Sequence, residues 1–170
     1  MGKMLRVFAT LLAILAATLA AYADARKDCF DKSGDIAIQN CTEALRLSPN
    51  DVKLYLARGY EYNHANDYDR GLADYTTAAR LDPQNADAYH GRGYAYNAKG
   101  EYDLAIAEFN KTIRLKPANY VAISDRGIAY YNKGQYDRAI ENQDRALKLK
   151  PDYAAAIKNR VDAIAKKNKR

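Results

Sequence analysis

The feature that most constrains this sequence is an internal period of about 34 residues. Prolines recur at this interval, and so does an Arg-Gly pair that is followed three residues later by tyrosine. The matching positions are Pro49, Pro83, Pro117 and Pro151; Arg58, Arg92, Arg126 and Arg160; Gly59, Gly93 and Gly127; and Tyr62, Tyr96 and Tyr130. This many coincident positions indicates internal duplication, which is typical of solenoids that stack one small unit on the next.

Each unit predicts two helices. In the second unit, Tyr89, Gly93 and Tyr96 are spaced i, i+4 and i+7, which places them on one helical face. Gly100 ends this first helix, and Pro117 ends a second one. The apolar stripe of the second helix is Tyr102, Ala105, Ile106, Phe109 and Ile113. Small residues at Gly93 and Ala105 predict that the two helix axes approach closely.

The spacing resembles the tetratricopeptide repeat, whose pattern is an aromatic, Leu-Gly, tyrosine, alanine, an aromatic and proline. The three units read Tyr55-x-x-Arg58-Gly59-x-x-Tyr62, Gly71-x-x-x-Tyr75; Tyr89-x-x-Arg92-Gly93-x-x-Tyr96, Ala105-x-x-x-Phe109; and Ile123-x-x-Arg126-Gly127-x-x-Tyr130, Ala139-x-x-x-Gln143. Arginine replaces leucine in all three units, and Gln143 replaces the second aromatic. The resemblance covers residues 52–151 and implies an all-α, right-handed superhelical solenoid of antiparallel helix pairs.

The two ends of the chain depart from the pattern, as terminal repeats do. Residues 24–51 keep Ala37, Ala44 and Pro49 in phase and are interpreted as a degenerate first repeat. Three full repeats follow at 52–85, 86–119 and 120–153. Residues 154–170 repeat only the first helix and are interpreted as a capping helix with a basic tail. We expect Ile157, Val161 and Ile164 to cover the last repeat, with Lys158, Lys166, Lys167 and Lys169 facing water.

Residues 1–23 have the layout of a secretory signal peptide. Lys3 and Arg6 precede an apolar run, and Ala21-Tyr22-Ala23 has the small-x-small form of a cleavage site. We therefore expect cleavage after Ala23 and a periplasmic or secreted protein; the bacterial setting is implied by the resemblance of the chain to short, Arg-Gly-rich bacterial repeat proteins. An uncleaved membrane anchor is the alternative, but the run of about 14 residues is shorter than the ~20 that a span needs.

Export would place Cys29 and Cys41 in an oxidising compartment, where a lone pair of cysteines most simply forms one disulfide. Two buried free thiols are the alternative. A redox-active pair is less favoured because the Cys-x-x-Cys spacing is missing. In the degenerate first repeat, the bond would replace packing that the absent aromatic, glycine and tyrosine provide elsewhere.

By resemblance, the first helix of each unit lines a concave groove. The positions that would face it carry tyrosine, asparagine and histidine with little net charge. Tyrosine rings pack against peptide side chains, and asparagine amides pair with peptide N–H and C=O groups. The resemblance thus implies a non-enzymatic scaffold that binds a protein or peptide; a groove of merely solvated tyrosines is the alternative. The candidate groove residues are Tyr60, Asn63, His64, His90, Tyr94, Asn97, Tyr131 and Asn132.

The same sequence disfavours catalysis. His64 and His90 lie in different units at different repeat positions, and no Ser-His-Asp arrangement or phosphate-binding glycine loop accompanies them. Two histidines and two cysteines offer little for a zinc site, so we expect no metal, no cofactor and no enzyme activity. Some relatives hold the acidic C-terminus of heat-shock chaperones in a clamp of lysines and asparagines. Leu56, Tyr60, His90 and Tyr94 stand at the clamp positions, so we do not expect that mode.

The repeated arginines need partners if they are half-buried. The residues sixteen positions after Arg58, Arg92 and Arg126 are Asp74, Glu108 and Asn142. We interpret the arginines as a packing ladder between helices; an anion-binding stripe is the alternative.

Charge defines the competing function. The 27 Lys and Arg and 21 Asp and Glu give a net charge of +6, and loss of Lys3 and Arg6 lowers it to +4, which is modest for a nucleic-acid binder. The basic tail at 166–170 could instead contact anionic lipid or another envelope polyanion, and self-association stays open. Peptide capture by tyrosine and asparagine should depend little on salt, whereas phosphate contacts weaken steeply.

Overall fold

The computed structural model describes the backbone of residues 2–169 and the side chains of residues 6–169. Three parts of the sequence analysis lie outside these described residues: Met1 and the side chain of Lys3 in the predicted signal peptide, and Arg170 in the basic tail. These described residues form nine helices and no strand. The helices are α1 (Gly2–Asp31), α2 (Gly34–Leu47), α3 (Val52–His64), α4 (Tyr68–Leu81), α5 (Ala86–Ala98), α6 (Tyr102–Leu115), α7 (Tyr120–Asn132), α8 (Tyr136–Leu149) and α9 (Ala154–Lys167).

The first helices of the three full repeats are capped at their N-termini by side chains at equivalent repeat positions. Asp51, Asn85 and Asn119 precede α3, α5 and α7, and their side-chain oxygens accept hydrogen bonds from backbone N–H groups of the first turn at 3.0–3.3 Å. Such caps satisfy donors that have no partner within the helix. The second helices end two residues before the repeated prolines.

The turn inside each repeat needs one residue with positive φ. Asn66, Gly100 and Gly134 occupy the same position in successive repeats and have φ values of 59°, 81° and 78°. Glycine reaches this region without a steric penalty, and asparagine tolerates it better than most residues. The prediction that Gly100 ends the first helix of its unit is therefore confirmed.

Within a repeat, the two helices pack glycine against a bulky side chain. A Cβ atom at Gly93 would lie 2.8 Å from the ring of Phe109, which is fully buried on α6. Ala105 is also fully buried, so the predicted close approach of the two helices is confirmed. Tyr75 and Gln143 are buried on the second helices of the other two full repeats.

Successive repeats share small apolar cores. Each helix from α2 to α8 packs against the helix before it and the helix after it. One core joins α6 to α9 through Ile113, Ala122, Ile123, Ala146 and Ala156. Because such contacts are mostly between neighbours, the protein is an all-helical solenoid of stacked helix pairs, as predicted.

The first unit is continuous with the N-terminal apolar segment. α1 runs unbroken through Ala23, and beyond it Ala25 and Cys29 are buried in a core with Cys41 and Leu54. Cys29 and Cys41 form a disulfide that joins α1 to α2, with Cα atoms 4.7 Å apart. The structure therefore has no break at the predicted boundary; cleavage there, and oxidation of the two thiols in the cell, stay predictions.

The apolar part of α1 is exposed. Val7, Leu12 and Leu19 are 57%, 69% and 60% exposed. Of the described residues, the part of α1 from Arg6 to Asp31 is long and apolar enough to cross a membrane, since it contains an 18-residue window with a mean hydropathy of 1.8. A signal sequence has the same properties, so both interpretations of the segment stay open.

The predicted packing face of the capping helix is wrong at two of its three residues, since only Ile164 is half-buried. Ile157 and Val161 of α9 are 46% and 58% exposed, whereas Ala156 and Ala163 are fully buried. Ala156 and Ala163 are the repeat equivalents of Ala122 and Ala129, which are also fully buried. The helix thus packs on α8 through its small side chains. Ile157 and Val161 lie on the face that would pack against a second helix of the same unit, which the described residues do not include.

Candidate functional site

The first helices α3, α5 and α7 surround a cavity of about 450 Å³. We call it the tyrosine cavity. Its apolar walls include the rings of Tyr60 and Tyr94, which are 54% and 47% exposed and are available to a ligand. The residues that line it are Leu56, Tyr60, Asn63, His64, Tyr75, Asp87, His90, Gly91, Tyr94 and Asp125.

The structure divides the predicted groove residues between two cavities. The tyrosine cavity contains five of them, namely Tyr60, Asn63, His64, His90 and Tyr94. A smaller cavity of about 150 Å³ contains Tyr131 and Asn132. Asn97 lines neither cavity but accepts a hydrogen bond from Asn132 Nδ2 at 3.2 Å. The predicted residues are therefore divided between two cavities and do not form one continuous pocket.

Asn63 does not have the predicted freedom to bind a peptide. Its side chain is buried, at 4% exposure, and its Nδ2 donates to the backbone oxygen of Gly91 at 3.1 Å. Its Oδ1 lies against Gly71, where a Cβ atom would be only 2.4 Å away. The amide therefore joins the first two full repeats and is not available to the backbone of a ligand.

Tyr75 lines the tyrosine cavity but was not among the predicted groove residues. It belongs to a second helix, α4, and its ring reaches the cavity because Gly91 has no side chain. A Cβ atom at Gly91 would lie 2.3 Å from two atoms of the ring. Burial raises the pKa of the Tyr75 hydroxyl well above its usual value, so Tyr75 stays neutral. The sequence feature that could have indicated this is Gly91, a glycine at a position that was expected to face the groove.

The two histidines share the tyrosine cavity although they come from different repeats. His90 Nε2 lies 2.7 Å from Asp125 Oδ2, which joins α5 to α7. His64 Nδ1 lies 3.0 Å from its own helix oxygen at Tyr60. Among the described residues, no three histidine, cysteine, aspartate or glutamate side chains are grouped to hold a metal ion.

The arginine ladder has the predicted partners on the second helix of each repeat. Arg58 donates from Nε and Nη2 to the two oxygens of Asp74, each at 2.8 Å. Arg92 Nη2 donates to both oxygens of Glu108 at 2.9 Å. Arg126 Nε donates to Asn142 Oδ1 at 2.9 Å, so this repeat has a neutral partner in place of a carboxylate.

Each arginine also contacts the preceding repeat, sixteen residues earlier, which the sequence analysis did not predict. Nη1 of Arg58, Arg92 and Arg126 donates to Thr42, Thr76 and Asn110, at 2.9, 3.4 and 2.6 Å. Arg160 of α9 pairs in the same way with Asp144 of α8. These contacts occupy the guanidinium groups within the protein and favour the packing interpretation over an anion-binding stripe.

Burial acts on these pairs in opposite directions. It raises the pKa of the Asp74 carboxyl, although the hydrogen bonds from Arg58 oppose it. The same desolvation lowers the pKa of Arg126, whose partners are uncharged amides. Desolvation penalises whichever form is charged, so an acid and a base shift in opposite senses.

Part of the basic charge near the C-terminus is paired within the chain. Lys158 Nζ lies 2.8 Å from Asp162, one helical turn away. Lys167 Nζ lies 2.5 Å from Asp137 at the start of α8. These exposed pairs contribute little to stability, but they reduce the charge that the tail presents to an anionic surface.

Several solved structures have the same fold. The crystal structure of the MamA protein is 25% identical to this chain, with a TM-score of 0.77 over 90% of this chain and 84% of that one. The Arabidopsis OM64 TPR domain is 21% identical, with a TM-score of 0.63 over 66% and 93% of the two chains. The first TPR of Spaghetti (RPAP3), solved with an HSP90 peptide, is 23% identical, with a TM-score of 0.65 over 67% and 90%.

Sequence comparison covers the three full repeats. No curated protein matches the chain significantly. Two models of the tetratricopeptide repeat do match, one over residues 56–120 and the other over residues 121–153. Together they cover more than half of the chain and coincide with α3 to α8. The chain belongs to the tetratricopeptide repeat family.

Proposed function

We propose that this protein is a non-enzymatic scaffold that binds a peptide or protein segment in the tyrosine cavity. The observation that carries the proposal is the cavity itself, which is about 450 Å³ in volume and is bounded by the exposed rings of Tyr60 and Tyr94. Aromatic side chains that are both exposed and held by rigid helices are typical anchors for a partner.

The fold supports a peptide as the ligand. A structural neighbour, the first TPR of Spaghetti (RPAP3), is bound to an HSP90 peptide. Leu56, Tyr60, His90 and Tyr94 line the tyrosine cavity in place of the lysines and asparagines of the chaperone clamp. We therefore expect a peptide of a different chemical class from the acidic termini of heat-shock chaperones.

The proposal also includes export to a bacterial periplasm by the segment 1–23. The expected product is a chain that begins at Asp24 and contains the Cys29–Cys41 disulfide. Intact-mass measurement of the protein isolated from its cells tests this expectation. A chain that retains Met1 but is oxidised indicates a membrane anchor, whereas a chain that retains Met1 and has reduced thiols contradicts export.

The binding proposal is tested by crosslinked pull-down from the native compartment. Wild type is compared with a Tyr60→Ala/Tyr94→Ala double variant that is shown to stay folded by its melting temperature. The matched control is Tyr68→Ala/Tyr102→Ala, which removes two tyrosines from the starts of α4 and α6, outside the tyrosine cavity. We expect partners to be captured by wild type and by the control, and to be lost with the cavity variant.

Equal capture by all three proteins would contradict the proposal and move binding to another surface. Capture that is lost only when Lys166 and Lys169 are changed, and that weakens steeply with salt, would support the polyanion alternative instead. Hydrolysis or transfer activity that disappears on changing His64 or His90 would contradict the non-enzymatic part.

A further inference from the structure

The tyrosine cavity combines aromatic walls with acidic groups from two helices. Asp87 of α5 and Asp125 of α7 both line it, and among the described residues no lysine or arginine does. The chain as a whole is basic, with a net charge of +6. The cavity is therefore an acidic site in a protein with a net positive charge. A cationic ligand would be attracted to this cavity and not to the protein surface as a whole.

Asp125 supplies the better-placed charge. Its side chain is only 21% exposed, and the hydrogen bond with His90 engages a single oxygen, Oδ2, at 2.7 Å. A partly buried carboxylate interacts more strongly with an incoming cation than an exposed one, because the local dielectric constant is lower. Two donors in a fork, as in a guanidinium, match the geometry of a carboxylate.

Asp87 is paired by a group that a ligand can displace. Lys116 Nζ contacts its two oxygens at 2.9 and 3.1 Å, and both side chains are more than half exposed. Lys116 is not one of the cavity-lining residues. An ion pair this exposed contributes little free energy, so it opposes a competing cation only weakly.

The remaining walls match the rest of a basic side chain. Leu56 presents an apolar surface, against which the methylene stem of arginine or lysine packs while the head remains polar. The rings of Tyr60 and Tyr94 can stack on a guanidinium, which is attracted to an aromatic face. Small-molecule sites are about 300–1,000 Å³ in volume, so a cavity of about 450 Å³ admits one long side chain with its backbone.

We propose that the tyrosine cavity recognises an arginine or lysine side chain of an extended segment, which Asp125 binds by charge while Tyr60 and Tyr94 enclose it. This inference rests on the proposed function and names the chemical class of its ligand. An acidic segment is disfavoured because two carboxylates face the cavity. A neutral aromatic segment fits the rings but brings no positive charge to Asp125.

The test uses fluorescein-labelled, end-capped peptides that differ only at a central residue, flanked by glycine, serine and tyrosine. The central residue is arginine, lysine, citrulline or glutamate, and binding to the purified protein is measured by anisotropy. Citrulline has the shape of arginine without its charge. We expect arginine to bind at least about tenfold more tightly than citrulline, and glutamate to bind most weakly.

Two variants assign this preference to the cavity. Asp125→Asn should reduce the arginine-to-citrulline ratio to near one while leaving residual binding. Asp103→Asn, the matched control, removes an exposed carboxylate that pairs with Lys133 outside the cavity and should leave the ratio unchanged. Asp87→Asn provides a second reading of the cavity charge if Asp125→Asn lowers the melting temperature.

The outcomes separate the two proposals. Equal binding of arginine and citrulline peptides, abolished by Tyr60→Ala/Tyr94→Ala, would overturn the cationic inference but support peptide binding in the cavity. Binding that the double tyrosine variant does not change, or no binding of any peptide by folded wild type up to about 1 mM, would overturn both.

Discussion

Arg58 and Arg126 occupy the same repeat position, yet their partners differ in charge. Arg58 contacts the buried carboxylate of Asp74, whereas Arg126 contacts the amide oxygens of Asn110 and Asn142. Removing a cation from a buried pair leaves an uncompensated charge, while removing it from two amides leaves neutral acceptors. Substitutions at Arg58 and Arg126 therefore compare, within one protein, an arginine paired with a carboxylate and an arginine paired with neutral amides.

Arg58→Gln should lower the free energy of unfolding by about 3 kcal/mol, because Asp74 loses its cation. Arg126→Gln should lower it by about 1 kcal/mol, because only hydrogen bonds to neutral groups are lost. Urea unfolding followed by circular dichroism measures both values on the same scale. Equal losses would mean that the charge of Asp74 adds nothing to the hydrogen bonds that both arginines make.

The defect of Arg58→Gln should also depend on pH. Burial already raises the pKa of Asp74, and loss of the opposing Arg58 raises it further. The unpaired charge destabilises the protein above that pKa, and this destabilisation is relieved as pH falls through it. The difference in melting temperature between wild type and Arg58→Gln should thus narrow as the pH is lowered from neutrality through the raised pKa of Asp74.

The control for this pH effect is Arg58→Gln/Asp74→Asn, which has no carboxylate to protonate at this position. Its difference from wild type should vary much less over the same range. A pH dependence as large as that of the single variant would assign the effect to other groups.

Contacts between two residues could be predicted where the repeat pattern placed both on facing helices. The sixteen-residue spacing was sufficient to pair Arg58 with Asp74. It did not reveal that His90 and Asp125 meet, because they lie on successive first helices, 35 residues apart, whereas the sixteen-residue spacing relates a first helix to a second helix. It also missed the burial of Asn63, because contacts with the next repeat decide which groove amides stay free.

At the scale of elements, helix packing depends on which positions are small. Gly91 of α5 faces the ring of Tyr75 on α4, and a Cβ atom there would lie 2.3 Å from two ring atoms. The equivalent residue of the preceding repeat is Ala57, so in that repeat the same position accommodates a methyl group. The same repeat position is thus permissive in one unit and restrictive in the next.

Gly91→Ala should destabilise the protein by about 1–3 kcal/mol, although alanine is the better helix former. The ring of Tyr75 is buried and cannot move without displacing its neighbours. Ala57→Gly is the matched control and should cost about 1 kcal/mol through helix propensity, together with the contact that the Ala57 methyl group makes with the N-terminal core. If Gly91→Ala equals or exceeds wild type in stability, the ring of Tyr75 moves aside at little cost and does not make this position restrictive.

The ends of the helices in the full repeats could be predicted from the sequence, but the side chains through which the last helix, α9, packs could not. Prolines, glycines and capping residues are local signals, and they recur at every repeat. The packing of α9 depends on which of its side chains can approach α8 closely. Ile157 and Val161 are apolar and helically spaced, so they were predicted to face the core. Alanines 156 and 163 are small enough to approach α8 and occupy that face instead.

At the scale of the whole molecule, stability in a solenoid is local. Each repeat contacts chiefly its neighbours, so the terminal unit has one stabilising interface where an internal unit has two. The first unit lacks the bulky second-helix residue of the other repeats: Cys41 stands at the repeat position of Tyr75, and its disulfide with Cys29 joins α1 to α2. The bond should therefore stabilise this end of the stack more than the rest.

Reducing this disulfide should release α2 selectively. Closing a loop of this length stabilises a protein by about 3 kcal/mol, which corresponds to roughly a hundredfold faster amide exchange where the bond is the main restraint. Hydrogen exchange followed by mass spectrometry should show faster exchange in α2 and the end of α1, and little change from α5 to α8. Cys29→Ser/Cys41→Ser should reproduce this pattern without a reductant. Faster exchange spread evenly over all helices would instead mean that the stack unfolds as one cooperative unit, with the bond supporting every repeat.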